Sequence, residues 1–377
     1  MIYANEMTMQ KIRDSLRAGK GMDAVHAAWL RWRADEAKAA PSLCVTDYPS
    51  PAASGDPHDY FSEGPYWWPD PKNPDGPYIR RDGETNPERY DLHPKALGAV
   101  CRDSFYLLLA SYHLGDECGW AERAMERMHA FFLDPATKMN PNMNHGQAIR
   151  NLTPGRCFGI IEAVCMHNLI FALDLCTQLG IENDTVTGTK AWLAEFNHWL
   201  RTSPIGIGER DSHNNHSMWY TSLVMALARL LGHDDEFAED CGRFENHMRR
   251  QLDEEGKFID EAKRTNGFGY CCYNLSAAAT ACEIAHFAGR DYWNTDFDGR
   301  SMSKAVIWLR QYFANPYKWP YKQINGAVGD APMAMAAAAV RLTDEAGQNA
   351  AKAALRSRAA YNPYRDSILG PPLFHLD

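Results

Sequence analysis

HNNHSMWYTSLVMALARLLGHDDEFAEDCGRFENHMRRQLD, residues 213–253, predicts two consecutive helices, over 213–232 and 235–253. Apolar residues recur three and four positions apart in both halves, which is the spacing of one helix face. Gly232-His233-Asp234 interrupts the pattern between the two halves, as expected of a tight connection. The stretch therefore predicts an antiparallel pair of helices, a helical hairpin.

The same pattern recurs along most of the chain, and no alternating strand of useful length accompanies it. Residues 7–38 predict two helices, and further helices are predicted at 94–114, 117–133, 155–180, 187–202, 268–288, 298–314, 331–343 and 345–358. Hairpins that follow one another in this way stack as a solenoid or close as an (α/α) toroid. Because no residue-level repeat is present, we expect an all-α fold of the toroid type, either an incomplete or a closed barrel.

Residues 41–92 depart from the helical pattern. The segment is rich in proline and glycine, which break both regular elements, but it is also rich in Tyr and Trp. Long loops without secondary structure of their own are disordered or functional, and aromatic residues are not typical of disorder. We expect a single domain, residues 1–377, in which 41–92 is an ordered loop that covers a cleft.

The amino-acid composition limits the binding partners and the cellular location that we expect for this protein. The 377 residues carry 39 Lys and Arg against 48 Asp and Glu, a net charge of −9, which argues against nucleic-acid and anionic-membrane binding. The ten cysteines form no CxxC pair and fall mainly in helical apolar patterns, as expected of reduced thiols. No signal peptide is visible at the N-terminus, so we expect a cytoplasmic protein, or a periplasmic or secreted one if a leader has been removed.

Polar and aromatic residues cluster at the predicted ends of hairpins. The clusters are 140–148 with 155–156, 212–220, 264–275 and 318–323. Taken singly, an Asn or Ser at a helix start is a cap, and His213 with His216 lacks a third metal ligand. Together they would gather amide, imidazole, guanidinium and phenol groups at one end of a toroid. We expect no metal and no cofactor.

Several of these motifs resemble alginate-lyase-type polysaccharide lyases. YFSEGPYWWPDPKNPDGPYIRRDGETNPE, NPNMNHGQA followed by GR, NNHSMW, RTNGFGYCCYNL and WPYKQ occur in the family's order, from about Tyr60 to Gln323. The tryptophan/proline loop and NNHS-x-W are the specific parts of the resemblance. It implies an (α/α) toroid that cleaves uronate polymers by β-elimination.

The resemblance also implies roles for individual residues. Asn215 and His216 match the family's Asn-His pair, and Arg264 matches its arginine. The family's tyrosine aligns with Tyr270 in one branch and with Tyr273 in others. Tyr270 is nearer the helix start and is our choice as the proton carrier, whereas Tyr273 is expected to lie deeper.

The chemistry of β-elimination fits these residue types independently. The C5 proton of a uronate becomes acidic only when the carboxylate is neutralised, which a neutral Asn and a cationic Arg can do. A base must remove this proton and an acid must protonate the leaving O4. In β-linked mannuronate or glucuronate, the C5 proton and O4 lie on the same face of the sugar. Tyr270 can therefore serve as both acid and base if Arg264 stabilises the tyrosinate anion. His216 is the alternative base.

The predicted substrate is a β-1,4-linked uronan, polymannuronate (alginate) or glucuronan, or its oligosaccharides, cleaved to a 4,5-unsaturated uronate end. Candidate substrate contacts are aromatic, amide and basic residues: Tyr66, Trp67, Arg80, His145, Gln147, Arg150, Arg156, Trp219, Tyr273, Trp319 and Lys322. His145-Gly146 stands where related sequences often have an aromatic residue and Ala, which predicts an altered sugar subsite. The choice of uronan, endo or exo action and the oligomeric state stay open.

Two other readings remain. A glycoside hydrolase on the same fold needs two acids about 5–9.5 Å apart. Asp211, Glu63, Asp70 and Glu261 are available, but none is expected within the Asn-His-Arg-Tyr set. A non-catalytic carbohydrate-binding protein would explain the aromatic residues and leave that set unexplained.

Overall fold

A computed structural model describes residues 1–313, 315–324 and 331–357. Within these ranges the chain is mainly α-helical, with short 3-10 helices and strands of two to four residues. It divides into two compact units, Gln10–Glu209 and Met1–Met9 together with the described residues from Arg210 onward.

The first seven helices occupy the N-terminal half of the chain. They are α1 (Glu6–Ala18), α2 (Met22–Ala39), α3 (Leu92–Leu114), α4 (Trp120–Phe132), α5 (Met166–Leu179), α6 (Asp184–Thr202) and α7 (Pro204–Arg210). Helix α3 is central to its unit and packs against α2, α4 and α5. It is buried on nearly all sides, as expected of a helix whose apolar residues are not confined to one stripe.

The segment Cys157–Leu179 contains the longest apolar run among the described helices. Its length and mean hydropathy of 1.6 would suffice to cross a membrane. In the structure it begins as a 3-10 helix, Cys157–Cys165, continues as α5 and packs against α3, with 67% of its most apolar window buried. Core helices have this composition too, and its packing is that of a core helix.

The remaining helices form the second unit. They are α8 (Asn215–Leu231), α9 (Asp234–Gln251), α10 (Gly267–Phe287), α11 (Met302–Phe313), α12 (Pro332–Arg341) and α13 (Glu345–Arg356). Helix α8 packs against both α9 and α10. Gly232 ends α8 in the left-handed conformation at φ 73°, which a glycine adopts without a steric penalty, so the predicted hairpin forms.

Four short strands belong to the loop region between α2 and α5. Strand β1 (Phe61–Glu63) pairs in parallel with β4 (His145–Ala148), and β2 (Trp67–Trp68) pairs antiparallel with β3 (Ile79–Arg80). Sequence analysis missed them because strands of this length are too short for alternation to be recognised. Strands β1, β2 and β3 all lie in 41–92, and the role of this segment as a cover over a cleft stays a prediction.

The predicted helices agree with the observed ones to within a few residues, apart from three differences. The short helix α7 was not predicted, the predicted helix 155–180 begins as a 3-10 helix, and α11 begins at Met302 rather than 298. Residues 314 and 358, the last residues of two predicted helices, lie outside the described residues.

Candidate active site

The four predicted catalytic residues all lie in the second unit, on two neighbouring segments. Asn215 and His216 are the first two residues of α8. Arg264 follows a short 3-10 helix, Glu261–Lys263, and Tyr270 lies in the first turn of α10. Because α10 packs against both α8 and the 3-10 helix, the fold brings these segments together.

Glu261 joins the segments and was missed as a member of this set. Its Oε1 accepts hydrogen bonds from the backbone N of Asn215 at 2.6 Å and from Asn215 Nδ2 at 2.5 Å. Its Oε2 lies 4.0 Å from the Arg264 guanidinium. The prediction that no acid belongs to the Asn-His-Arg-Tyr set is therefore wrong, and the i, i+3 spacing from Arg264 is the signal that could have indicated Glu261.

The Glu261 carboxyl group is only 1% exposed. Burial raises its pKa above the ordinary value, while the hydrogen bonds from Asn215 and the charges of Arg264 and His216 act in the opposite direction. Oε2 has no hydrogen-bond partner within the described residues, and the Arg264 guanidinium lies 4.0 Å from it. The arrangement holds an acid beside the predicted catalytic groups without exposing it to a substrate.

Arg264 also contacts the predicted proton carrier. Its guanidinium carbon lies 3.8 Å from the centre of the Tyr270 ring, within the range of a cation–π contact. A cation this close favours the negatively charged form of a phenol. The sequence argument required a cation beside the tyrosine, and the structure supplies it at Tyr270.

Tyr273 and Trp219 pack against each other, with ring centroids 5.1 Å apart. Tyr273 and Tyr270 are both half-buried, and the expectation that Tyr273 lies deeper stays a prediction. The Tyr273 ring packs against Trp219, and the Tyr270 ring lies against the Arg264 guanidinium. Trp219 itself is 1% exposed, which leaves no surface for a sugar, so its predicted role is corrected to packing behind Tyr273.

The late loop carries two predicted contacts that differ in exposure. Trp319 is 8% exposed and packs against Phe268 and Tyr312, with centroids 5.5 and 4.9 Å apart. Its predicted sugar contact is corrected to aromatic packing beneath the start of α10. Lys322 is exposed and remains available.

Two residues around the start of α10 have structural roles. Gln323 pairs with Asn266 in a β-bridge, and its Oε1 accepts a hydrogen bond from the backbone N of Phe268 at 3.2 Å. A Cβ at Gly267 would lie 2.6 Å from the Ala262 carbonyl oxygen. Gly267 is therefore explained by the close approach of the protein's own backbone rather than by the approach of a ligand.

In the other unit, Gln147 and Arg156 form one cluster. Arg156 donates to the Gln147 carbonyl oxygen at 2.9 Å and to its side-chain Oε1 at 2.7 Å, and the backbone N of Gln147 donates to Ser62 Oγ at 2.7 Å. Gln147 has φ 46°, an unfavourable value for a residue with a side chain. Such local strain is retained where the surroundings impose it, often at functional sites.

Arg156 also connects this cluster to the tryptophan loop. Its guanidinium lies 5.7 Å from the Trp67 ring, and burial lowers its pKa. A Cβ at Gly64 would lie 2.7 Å from Trp67 and 2.9 Å from Arg156, so only glycine fits between them. The structure thus brings together three predicted sugar contacts: Trp67, Gln147 and Arg156.

Glu162 lies beneath this cluster and was not predicted. Its Oε2 accepts hydrogen bonds from Tyr60 at 2.8 Å and from Ser62 at 2.5 Å. Burial raises its pKa to about 7, although hydrogen bonds from Ser62, Tyr60 and Gln147 act to lower it. Sequence analysis could not find it because it lies within an apolar run, Ile160–Cys176.

The remaining predicted contacts in this unit are engaged with neighbouring groups. Arg150 forms a two-point ion pair with Glu63, and these hydrogen bonds raise the pKa of its guanidinium. Arg80 donates to Asp82 at 2.6 Å. These guanidinium groups can still contact an anion, but their charge is partly neutralised.

His145 and Tyr66 complete the set. The His145 ring lies 3.7 Å from an Asp59 carboxylate oxygen and 3.3 Å from the Pro154 carbonyl oxygen. Tyr66 is half-buried, and its carbonyl oxygen accepts a hydrogen bond from the backbone N of Arg81 at 2.8 Å. Neither contact excludes a sugar, so both assignments stay predictions.

A cavity of about 680 Å³ lies beside the Arg150–Glu63 pair, lined also by Phe61, Tyr90 and Leu152. Of the predicted substrate contacts, only Arg150 lines this cavity. The other predicted contacts in this unit belong to the Trp67–Gln147–Arg156 cluster or to the separate pairs described above.

Within the described part of the chain, no group of three or more His, Cys, Asp or Glu side chains is placed to hold a metal ion. His213 Nδ1 accepts a hydrogen bond from the Arg250 guanidinium at 3.3 Å. A cation at this distance opposes binding of a second cation at the same ring nitrogen. This contact argues against His213 Nδ1 as a metal ligand.

Comparison with known proteins identifies the family. A family profile described as alginate lyase matches residues 44–319. The chain belongs to the alginate lyase family. No curated protein sequence shows a significant match.

Solved structures of alginate lyases agree with this assignment. An alginate lyase from Bacteroides ovatus is 32% identical, with 96% of each chain covered and a TM-score of 0.88. A histidine-to-alanine variant of alginate lyase A1-III, complexed with a tetrasaccharide, is 14% identical, with 84% of this chain and 80% of that chain covered and a TM-score of 0.51; it shows similarity of fold. The predicted fold class, an all-α (α/α) toroid, and the predicted enzyme class, a polysaccharide lyase, are confirmed.

Proposed function

We propose that this polysaccharide lyase cleaves β-1,4-linked uronans, polymannuronate within alginate or glucuronan, or their oligosaccharides, by β-elimination. The alginate lyase family supports a uronate polymer as the substrate. The observation that carries the proposal is the contact between Arg264 and Tyr270 at 3.8 Å. It places a cation beside a phenol at a helix start, in the same connected group as Asn215.

The first step in the proposed mechanism is neutralisation of the substrate carboxylate. The second Nδ2 hydrogen of Asn215 and the guanidinium of Arg264 would stabilise the negative charge that develops as the C5 proton leaves. Such groups act on the transition state more than on the ground state, so their loss should lower kcat more than it raises KM.

The second step is proton transfer. In β-linked mannuronate and glucuronate, the C5 proton and O4 lie on the same face of the sugar, so one phenol can remove the first and protonate the second. Arg264 would stabilise the tyrosinate form of Tyr270 that this requires. His216, beside Asn215 at the start of α8, is the alternative base and would leave Tyr270 as the acid.

Sugar recognition is proposed for Trp67, Arg156 and Lys322, with Arg80, Arg150, His145, Tyr66 and Tyr273 as further contacts. Gln147 is only 6% exposed, so its predicted sugar contact is corrected to positioning of Arg156. Trp67 offers an aromatic face, and Arg156 offers a guanidinium that is already fixed by Gln147. A fixed guanidinium loses less conformational entropy on binding a carboxylate than a free one.

A substrate panel tests the proposal. Purified protein is incubated with polymannuronate, glucuronan and polyguluronate, and the ultraviolet absorbance of a conjugated 4,5-unsaturated uronate is recorded together with reducing ends. Guluronate is the C5 epimer of mannuronate, so its C5 proton lies on the opposite face and one phenol cannot serve both steps. Absorbance with polymannuronate or glucuronan and little with polyguluronate is the expected result.

Other outcomes would replace the proposal. Reducing ends without ultraviolet absorbance would indicate a hydrolase. Binding without either product would indicate a carbohydrate-binding protein. Preference for polyguluronate would reject the single-phenol mechanism.

A further inference from the structure

We propose that Glu261 is a positioning residue for Asn215 and Arg264, and that its fixed orientation of these two groups sets the rate of elimination. The inference rests on the proposed function. The inference extends the proposed function to a residue that cannot touch substrate, since Glu261 is only 1% exposed.

The first argument concerns the Asn215 amide. One Glu261 oxygen, Oε1, accepts from both the backbone N and the side-chain Nδ2 of Asn215, at 2.6 and 2.5 Å. This double contact fixes which end of the amide is nitrogen and where the plane of the amide lies. The second Nδ2 hydrogen is thereby directed by the protein rather than by the substrate.

The second argument concerns charge. Oε2 is buried, has no hydrogen-bond partner within the described residues and lies 4.0 Å from Arg264. The charged or titratable groups that face the Glu261 carboxyl group are Arg264 on its own segment, His216 on α8 and the Cys271 thiol on α10. The Arg264 guanidinium lies at ion-pair distance from Oε2.

Arg264 therefore contacts both an anion and a phenol. Its guanidinium lies 4.0 Å from the Glu261 carboxylate and 3.8 Å from the centre of the Tyr270 ring. The carboxylate restrains the position of the guanidinium and offsets part of its charge. Removing that negative charge would leave a stronger positive field at Tyr270 and His216.

The pH–rate profile gives a readout that a purely structural role would not change. The proposed base must be deprotonated, whether it is Tyr270 or His216. Loss of a nearby negative charge favours the deprotonated form of either group. The rising limb of the profile in Glu261→Gln should therefore move to lower pH, whichever residue is the base.

The test compares Glu261→Gln with a matched control, Glu283→Gln. Glu283 is also buried in this unit, and its carboxylate accepts hydrogen bonds from Arg341 at 2.9 and 3.1 Å and from Trp293 at 2.7 Å. It has no contact with the catalytic set in the described structure. Both substitutions replace a buried carboxylate by a neutral group of the same shape, and both melting temperatures are measured.

Glu261→Gln should lower kcat by about 10- to 100-fold, because misplacing charge-stabilising groups has that effect. KM should change much less, and the rising limb should move to lower pH. Glu283→Gln should keep the wild-type kcat and profile, whatever its melting temperature. An unchanged kcat and profile in folded Glu261→Gln, or the same kinetic change in both variants, would overturn the inference.

A double variant tests whether Glu261 acts through Asn215. Asn215→Ala combined with Glu261→Ala, which removes the acceptor of both Asn215 hydrogen bonds, should lose less activity than the product of the two single losses, as expected of residues that share one function. Full additivity would reject the positioning role. If the wild-type protein forms no unsaturated product from any uronan, the proposed function has failed; if only these comparisons fail, Glu261 alone is reassigned.

Discussion

The guanidinium carbon of Arg264 lies 3.8 Å from the centre of the Tyr270 ring, six residues further along the chain. Tyr273, which is the alternative by alignment, packs instead against the buried Trp219. Both tyrosines are half-buried, so access to a substrate does not decide between them. The contact between Arg264 and Tyr270 supports the proposal that Tyr270 carries the proton.

Tyr270→Phe should therefore reduce kcat by at least about 10²-fold, the usual contribution of a positioned acid or base. The substitution removes only a hydroxyl group, and the ring contact with Arg264 is retained. Tyr273→Phe is the matched control, because Tyr273 lies on the same helix one turn later. This substitution should reduce kcat far less than Tyr270→Phe. Rates are measured on variants with unchanged melting temperatures, and the reverse order would assign the proton transfer to Tyr273.

Sequence analysis located the helices and the Asn-His, Arg and Tyr motifs because these depend on local periodicity and on residue types at fixed spacing. It misplaced Trp219 and Trp319, since an aromatic residue beside a polar motif has the same local pattern whether it faces substrate or the core. Glu261 and Glu162 were missed for a related reason. A buried carboxylate is recognised by the donors that tertiary packing places around it, and the i, i+3 spacing of Glu261 from Arg264 indicates only one of these groups.

Metal removal should leave the rate unchanged. The groups proposed to neutralise the substrate carboxylate are Asn215 and Arg264, and His213 accepts a hydrogen bond from a cation, Arg250. Prolonged treatment with EDTA followed by dialysis, with the rate measured before and after, checks this. A loss that a divalent ion restores would contradict it and would require a metal site.

Gly64→Ala should lower activity without unfolding the protein. Its Cβ would lie 2.7 Å from Trp67 and 2.9 Å from Arg156, so both side chains must move. If they bind sugar, kcat/KM should fall by about tenfold or more, as for other displaced substrate contacts. Gly98→Ala in α3 is the control, because nothing lies within 4 Å of its Cβ and alanine favours a helix.

The circular dichroism of both glycine variants should match the wild type. Equal activity in Gly64→Ala and wild type, with the fold intact, would remove Trp67 and Arg156 from substrate binding.

Glu162 should make the folded protein less stable as pH rises, which is the opposite of the usual effect of a carboxylic acid. Burial raises its pKa from 4.5 to about 7, so the folded protein holds this proton more tightly than the unfolded chain. Between these two values the folded state binds more protons, and the free energy of unfolding contributed by this group falls as pH rises. Its stabilising contribution is present at low pH and is lost as pH rises toward 7.

Glu162→Gln tests this sign. Glutamine can still accept the hydrogen bonds from Tyr60 and Ser62 but does not titrate, so the fall attributable to this site should disappear. Melting temperatures of wild type and variant are measured across pH 4.5 to 7. The variant should gain stability relative to wild type as pH rises through this window, because only in the wild type does the unfolded chain ionise here while the folded protein keeps the proton. A constant difference between the two proteins would mean that Glu162 titrates at an ordinary pKa and that its burial costs nothing measurable.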